Sequence, residues 1–141
     1  MTLIEILIVL SIMAIGAAFV VPMIGGTGAT TGELKSAARQ LAAGLRLARS
    51  EAIAQRRETL VMLDLEKRTF RVAGDARDIA LPDKVDLKLF TAQSDLVDER
   101  QGAIRFFPDG GSNGGRVTVS SGERKFEVDV DWLTGRVAIL E

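Results

Sequence analysis

The chain has 141 residues, which is enough for one modest globular domain. It contains no Cys and no His, which excludes disulfides, thiol chemistry and the commonest metal ligand and general base. Six basic and three acidic side chains give residues 1–57 a charge of +3, whereas 12 basic and 16 acidic side chains give residues 58–141 a charge of −4. The acidic distal part argues against a nucleic-acid-binding surface there.

The first 24 residues form an almost wholly apolar segment. No residue between Ile6 and Gly32 is charged, and about 20 apolar residues in a helix cross the ~30 Å hydrocarbon layer of a bilayer. We therefore predict a transmembrane helix over residues 1–24. A cleaved signal peptide fits less well, because a basic start and a small-residue cleavage site are not evident. Glu5 is the one charge in this helix, and a carboxylate in such a setting indicates a functional group that needs a partner.

Two features interrupt the apolar segment. Pro22 removes a backbone donor, which is compatible with a tolerated kink or with a stretch that loosens on assembly. The glycine-rich residues 25–32 form either a hinge or a weakly held part of one long helix.

Residues 33–57 are predicted to form an amphipathic helix, capped by Thr30 or Thr31 together with Glu33. Apolar residues recur at three- and four-residue spacing, and we expect a sheet of the same chain to cover them. These residues are Leu34, Ala38, Leu41, Leu45, Ala48 and Ala52. The basic residues largely avoid this stripe and are expected to be solvated. They are Lys35, Arg39, Arg46, Arg49 and Arg56.

After residue 57 the pattern changes to short alternating segments typical of strands. About seven strands are predicted, over residues 59–65, 69–72, 84–90, 103–107, 116–120, 124–132 and 136–140. Residues 91–102 are predicted to be a long loop. The order of helices followed by strands excludes doubly wound α/β folds and predicts an α+β fold. We expect a long N-terminal helix, transmembrane and then amphipathic, packed on antiparallel sheets.

Three regions follow from this pattern. They are a transmembrane helix over residues 1–24, a glycine-rich hinge and amphipathic helix over residues 25–57, and an antiparallel β domain over residues 58–141.

Catalytic, cofactor and metal sites are not predicted. Asp129 and Asp131 share a strand face, which is more often the solvent face, and Ser120-Ser121 has no base beside it. Residues 109–115 contain four Gly, two Asp/Asn side chains and one Ser, and we interpret them as a turn rather than a calcium loop. Trp132, the single Trp, is predicted to pack the end of the sheet against the helix. Contact with a partner is the alternative.

Several motifs resemble one family. The segment Thr2-Leu3-Ile4-Glu5, the apolar run after it and Pro22 closely resemble the N-terminus of type IV pilins and pseudopilins. In that family a short leader is removed and the mature chain begins with an N-methylated Phe, the position at which Met1 stands here. Three later motifs resemble the H-type minor pseudopilin of type II secretion. They are RLARSEAI at residues 46–53, FPDG at residues 107–110 with GGR at 114–116, and DWLTGRV at residues 131–137.

The resemblance implies a pilin-like fold and a structural subunit of the pseudopilus near the filament tip, which serves the export of folded proteins. It implies a single-pass protein of the bacterial inner membrane with its C-terminal domain in the periplasm. The implied partners are the other minor pseudopilins (I, J and K types), the major pseudopilin and the inner-membrane assembly platform, with no nucleic acid. The implied assembly residues are Glu5, the Met1 position and Pro22.

Two rival interpretations remain open. A minor type IV pilin for pilus assembly or DNA uptake would share the N-terminus, although a DNA-binding version needs a basic patch and many such pilins carry a C-terminal disulfide. A membrane-tethered enzyme or binding module would have no use for a carboxylate at Glu5.

Overall fold

The computed structural model describes residues 2–24, 28–72, 74–75, 77–82, 84–91 and 100–141, with the side chains of the first helix described up to residue 15. It contains two helices, α1 (Leu3–Ile24) and α2 (Thr31–Gln55). Eight strands follow α2. They are β1 (Thr59–Asp64), β2 (Thr69–Val72), β3 (Ile79–Ala80), β4 (Asp86–Phe90), β5 (Gln101–Phe106), β6 (Gly115–Ser121), β7 (Arg124–Val130) and β8 (Val137–Leu140).

Helix α2 begins at a capping box. The Thr30 side chain accepts the Glu33 backbone N–H at 3.1 Å, and the Glu33 carboxylate accepts the Thr30 backbone N–H at 3.0 Å. This arrangement satisfies two donors that a helix start leaves unpaired, and it selects Thr30 from the two predicted candidates. The helix ends at Gln55, and the residue that caps it, Arg56, has a left-handed φ of 52° and donates its backbone N–H to the Ala52 carbonyl. The predicted end at residue 57 is therefore correct to within two residues.

The strands form two four-stranded antiparallel sheets. One sheet has the order β3-β2-β1-β5 and the other β4-β6-β7-β8. The register places apolar side chains opposite each other, as in the pairs Val61–Val72 and Val117–Val128. Such cross-strand pairs direct their side chains to one face, which α2 then covers.

The core lies between α2 and both sheets. All six residues of the predicted stripe have 0% exposure, and Ala37 and Ala42 are equally buried. The prediction that this chain's own sheet covers the stripe is therefore confirmed. Gly44 allows the closest approach, because a Cβ there would lie 2.5 Å from the Phe70 ring.

The predicted strands agree with the structure except at their ends and in one case. Strand β3 was not predicted, because two exposed residues are too short to show alternation. Strand β5 begins two residues earlier than predicted, since Gln101 pairs with Asp64 of β1. Residues 92–99, the centre of the predicted long loop, lie outside the described part of the chain.

Every side chain described in α1 is exposed, including Leu3 at 85% and Ile4 at 70%. Within the described residues no helix meets the length and hydropathy needed to cross a membrane. The α+β fold with antiparallel sheets is confirmed.

A hydrogen bond also joins the chain just before α2 to the second sheet. The Ala29 N–H donates to Ser121 Oγ at 2.9 Å, and the Ala29 side chain is buried. A Cβ at Gly28 would lie 2.5 Å from the same oxygen, so glycine permits this close approach. The chain just before α2 is therefore part of the folded domain.

Candidate functional site

Two turns meet at the C-terminal half of α2, and Arg49 joins them. Its Nε donates to the Gly110 carbonyl at 3.0 Å and to the Thr134 carbonyl at 3.2 Å. The first turn connects β5 to β6, and the second connects β7 to β8. Arg49 thus links α2 to both turns, through acceptors that are 61 and 85 residues away from it in sequence. A second arginine, Arg46, donates to the Val137 carbonyl at 3.2 Å.

The two turns also contact each other directly. The Ser112 N–H donates to the Trp132 carbonyl at 3.0 Å. Gly135 has a φ of 70°, and a Cβ at this position would overlap the Gly110 carbonyl. Only glycine both adopts the left-handed backbone at low cost and fits in the space at this position.

Aspartates hold the local shape of each turn. Asp131 Oδ1 accepts the backbone N–H groups of Leu133 at 2.8 Å and Thr134 at 3.1 Å. These bonds stabilise the charged carboxylate, so the Thr134 N–H first and the Leu133 N–H second lower the pKa of Asp131. In the other turn Asp109 Oδ1 accepts the Gly111 N–H at 2.9 Å.

The interpretation of residues 109–115 as a turn agrees with its hydrogen bonds. Gly110 and Gly114 have φ values of 90° and 77°, which confirms that glycines supply left-handed positions here. The side-chain oxygen of Asn113 accepts the Arg105 N–H at 2.9 Å. Within the described ranges no group of three or more Asp and Glu could hold a metal ion.

A basic cleft of about 700 Å³ lies beside the Arg49 contacts. Helix α2 forms one wall, and the β7–β8 turn with the start of β8 forms the other. The lining residues are Arg46, Arg49, Ser50, Thr134, Gly135, Arg136 and Val137. The prediction of a solvated basic face holds for Lys35, Arg39 and Arg56, which are exposed. It is incomplete for Arg46 and Arg49, because their side chains also donate hydrogen bonds to backbone carbonyls. The spacing of residues in the sequence does not reveal these acceptors.

The prediction for Trp132 is wrong. Its side chain is 68% exposed, so it does not pack the sheet against α2. The physical reason is that β7 ends at Val130, and the Asp131 turn directs the next two residues away from the core. Trp132 and the 80%-exposed Phe90 instead line a groove of about 710 Å³ along the second sheet.

Comparison with known proteins identifies the family. Residues 37–134 match the family described as Type II transport protein GspH. The chain belongs to the GspH family. A curated relative from Xanthomonas campestris pv. campestris, Type II secretion system protein H, is 32% identical over 136 residues, covering 96% of this chain and 79% of the relative.

Solved structures support a pilin-like fold for this GspH-family chain. The minor pseudopilin EpsH from the Vibrio cholerae type II secretion system superimposes with a TM-score of 0.62 at 13% identity, over 79% of this chain and 96% of that one. The type IV minor pilin FimU from Pseudomonas aeruginosa superimposes with a TM-score of 0.60 at 21% identity, over 78% of this chain and 89% of that one. At these identities the likeness concerns the fold.

The three distal motifs of the GspH-family chain lie together. Residues 46–53 supply the two arginines, residues 107–110 supply the first turn and residues 131–137 supply the second. Because the motifs are far apart in sequence, their proximity could not be predicted from local patterns. The family resemblance alone pointed to all three motifs.

The predicted assembly residues lie apart from that site. Glu5 is exposed in the first turn of α1, where its backbone N–H donates to Thr2 Oγ1 at 3.3 Å. The Met1 position lies outside the described residues, and the Pro22 side chain is likewise not described.

Proposed function

We propose that this chain is a minor pseudopilin, a structural subunit of the type II secretion pseudopilus. In this role it acts near the filament tip in the export of folded proteins across the outer membrane. Membership in the GspH family carries the proposal.

We further propose that residues 1–24 anchor the chain in the bacterial inner membrane as a single span. Residues 25–57 would connect the anchor to the domain through α2, and residues 58–141 would face the periplasm. The observation in favour is that the described side chains of α1 are exposed and mostly apolar. An apolar helix that its own domain leaves uncovered needs lipid or other helices around it.

The proposed partners are the other minor pseudopilins (I, J and K types), the major pseudopilin and the inner-membrane assembly platform. Helical spans that bundle in a filament provide the cover that α1 lacks. A minor type IV pilin is the second candidate, because the fold matches FimU about as well as EpsH. The GspH family match and the 32% identical relative favour secretion.

Glu5 is proposed to select subunits during assembly, with Pro22 allowing local adjustment of the helix. Within the described part of the chain no basic side chain pairs with Glu5. A carboxylate at the centre of a bilayer costs on the order of 3 kcal/mol even on lenient scales, and the cost is smaller near the end of a span, where Glu5 lies. An α-amine at the Met1 position of a neighbouring chain would offset this cost, because opposite charges attract more strongly in a low-dielectric bundle.

The test is Glu5→Leu in the native host. We expect the variant to insert in the membrane at normal or higher levels, because an apolar residue replaces a costly charge. It should fail to co-purify with the other pseudopilins, and exoprotein secretion should fall at least tenfold. Membrane fractionation, co-purification and an exoprotein assay measure these three quantities.

Ser11→Leu is the matched control. It removes a polar group from the same helix, but Ser11 Oγ already donates to the Leu7 carbonyl at 2.7 Å and carries no charge. It should assemble and secrete normally. Normal secretion and co-purification by Glu5→Leu would refute the pairing. Loss of twitching with intact secretion on gene deletion would instead favour the type IV pilin.

A further inference from the structure

Three arginines line the basic cleft, and the described residues of its lining include no Asp or Glu. Arg46 and Arg49 are on α2, and Arg136 leads into β8. Among the residues that the structure describes, none of the three forms a salt bridge. Most other described arginines of the β domain do, for example Arg116 with Asp129 at 3.2 Å. The cleft is therefore a local excess of positive charge, because residues 28–141 carry 18 basic and 18 acidic side chains and are neutral as a whole.

The positions of the nearby residues explain why carboxylates of the same chain do not neutralise these arginines. On a helix, residues three and four apart are neighbours. Arg46 and Arg49 are three apart and repel each other, whereas Glu51 is two residues from Arg49 and faces elsewhere. The two aspartates of the adjoining turns, Asp109 and Asp131, accept backbone N–H groups of their own turns.

The guanidinium groups are also held in position. Arg49 is fixed through Nε by the carbonyls of Gly110 and Thr134, and Arg46 is fixed through one Nη by the Val137 carbonyl. Each guanidinium has five donors, so several remain open to the cleft. A planar fork that is already oriented binds a carboxylate through two parallel hydrogen bonds, with little further loss of side-chain freedom.

The turn that forms one wall also presents apolar side chains to solvent. Trp132 and Leu133 are each 68% exposed. Trp and Arg are enriched among the residues that dominate binding energy at protein interfaces. These two residues precede Thr134 and Gly135 of the cleft on the same turn, although Trp132 itself lines the separate groove with Phe90. An exposed apolar turn that continues into the cleft wall fits a protein segment better than a free anion, because an isolated anion has no use for the apolar surface.

We propose that the basic cleft binds an acidic segment of another protein, with a carboxylate between Arg46, Arg49 and Arg136. An anionic lipid surface fits less well. Arg46 lies 15 residues into α2, which places it roughly 22 Å along the helix from the end that adjoins α1. In the proposed function the other protein is a neighbouring filament subunit; that identity and the argument against a lipid surface rest on the proposed function, whereas the chemistry of the cleft does not.

A peptide titration of the full chain in neutral detergent micelles tests this chemistry. The probe is a fluorescein-labelled peptide with blocked ends, of the sequence Gly-Glu-Leu-Glu-Gly, and its Gln counterpart is the neutral comparison. The fluorescence anisotropy of the labelled peptide reports binding. We expect saturable binding of the Glu peptide, at least tenfold weaker binding of the Gln peptide, and weakening as salt is raised.

Arg46→Gln combined with Arg136→Gln should weaken Glu-peptide binding at least tenfold. Arg136→Gln alone is the second variant, because the Arg136 side chain makes no hydrogen bond among those described and its loss spares the fold. It should weaken binding at least threefold. Arg124→Gln is the matched control, since this exposed arginine starts β7 at the opposite end of the same sheet.

Equal weakening by Arg124→Gln would show non-specific attraction and overturn the proposal. Binding that is unchanged in both Arg136→Gln and the double variant would also overturn the proposal. Vesicles containing phosphatidylglycerol form a separate arm. Vesicle binding that depends on Arg46 and Arg136, without peptide binding, would assign the cleft to lipid and overturn the protein partner. None of these readouts depends on secretion.

Discussion

At the scale of single residues, Gly135 should tolerate no side chain. We expect Gly135→Ala to lower the free energy of unfolding by about 2–4 kcal/mol, because left-handed strain adds to overlap with the Gly110 carbonyl. Gly122→Ala is the control, since Gly122 has a similar φ of 62° but open space around its Cα. It should cost only about 1–2 kcal/mol. Urea denaturation of both variants measures the difference, and equal costs would contradict the overlap.

Asp131 should make stability depend on pH. Its pKa is lowered in the folded state by the N–H groups of Thr134 and Leu133, so its contribution to stability is complete above the usual value of 3.8. This contribution is lost as the pH falls from there through the folded-state pKa. Asp131→Asn should therefore be less stable than the parent at pH 7, and the gap should narrow below pH 3.8.

Thermal midpoints at pH 7 and at a pH well below 3.8 measure the two gaps. Glu123→Gln is the control for the loss of one negative charge, because Glu123 is exposed in the β6–β7 turn. A gap for Asp131→Asn that stays constant with pH would refute the assignment.

Which residue contacts were predictable depends on their separation in sequence. The Thr30–Glu33 cap spans three residues and follows from a local pattern. The contacts of Arg49 span 61 and 85 residues, so no local pattern contains them. The prediction for Trp132 was wrong for a related reason. The sequence does not show whether a Trp is exposed or buried unless the last residue of the preceding strand is known.

At the scale of elements, Gly44 sets how closely α2 approaches the first sheet. Ala is a better helix former than Gly by about 1 kcal/mol, so propensity alone predicts that Gly44→Ala stabilises the chain. We expect the opposite, a net loss of about 1–2 kcal/mol, because the new Cβ would lie 2.5 Å from the buried Phe70 ring.

Gly32→Ala is the matched control in the same helix. A Cβ there would meet only Thr30 Oγ1 at 3.8 Å, an ordinary contact. This variant should be neutral or slightly stabilising in urea denaturation. Stabilisation by both substitutions would show that the Phe70 ring moves aside and that Gly44 does not limit the packing.

The helices and strands themselves were largely predictable, because the spacing of apolar residues in the sequence matches the pattern of burial. The α2 stripe repeats every three to four residues and is fully buried. The β6 and β7 strands alternate as their burial does. Strand β3 was missed because pairing with β2, rather than its own composition, makes it a strand. The packing of one helix on antiparallel sheets followed from the order of the elements, whereas the division of the strands into two four-stranded sheets was not predicted.

At the scale of the whole molecule, the domain should fold without α1. We expect a fragment of residues 28–141 to be a folded, soluble monomer, because the α2 stripe is covered by the sheets of the same chain. Circular dichroism and size-exclusion chromatography measure this. An unfolded or aggregated fragment would show that the stripe needs cover from elsewhere.

A fragment of residues 32–141 is the comparison that locates the boundary. It lacks Thr30 and Ala29, and therefore the helix cap and the Ser121 hydrogen bond. It should be less stable than the longer fragment by about 1–3 kcal/mol. Equal urea midpoints would place the start of the domain after these residues.

The hydrogen bond between Ala29 and Ser121 has a mechanical consequence. Tension that reaches the domain from its N-terminal side arrives at Ala29, where it divides between the axis of α2 and the β6–β7 hairpin. The seven residue pairs of that hairpin lie beside α2, so the load is shared across the sheet instead of peeling the helix from its first turn. We therefore expect the domain to respond to such tension as one unit.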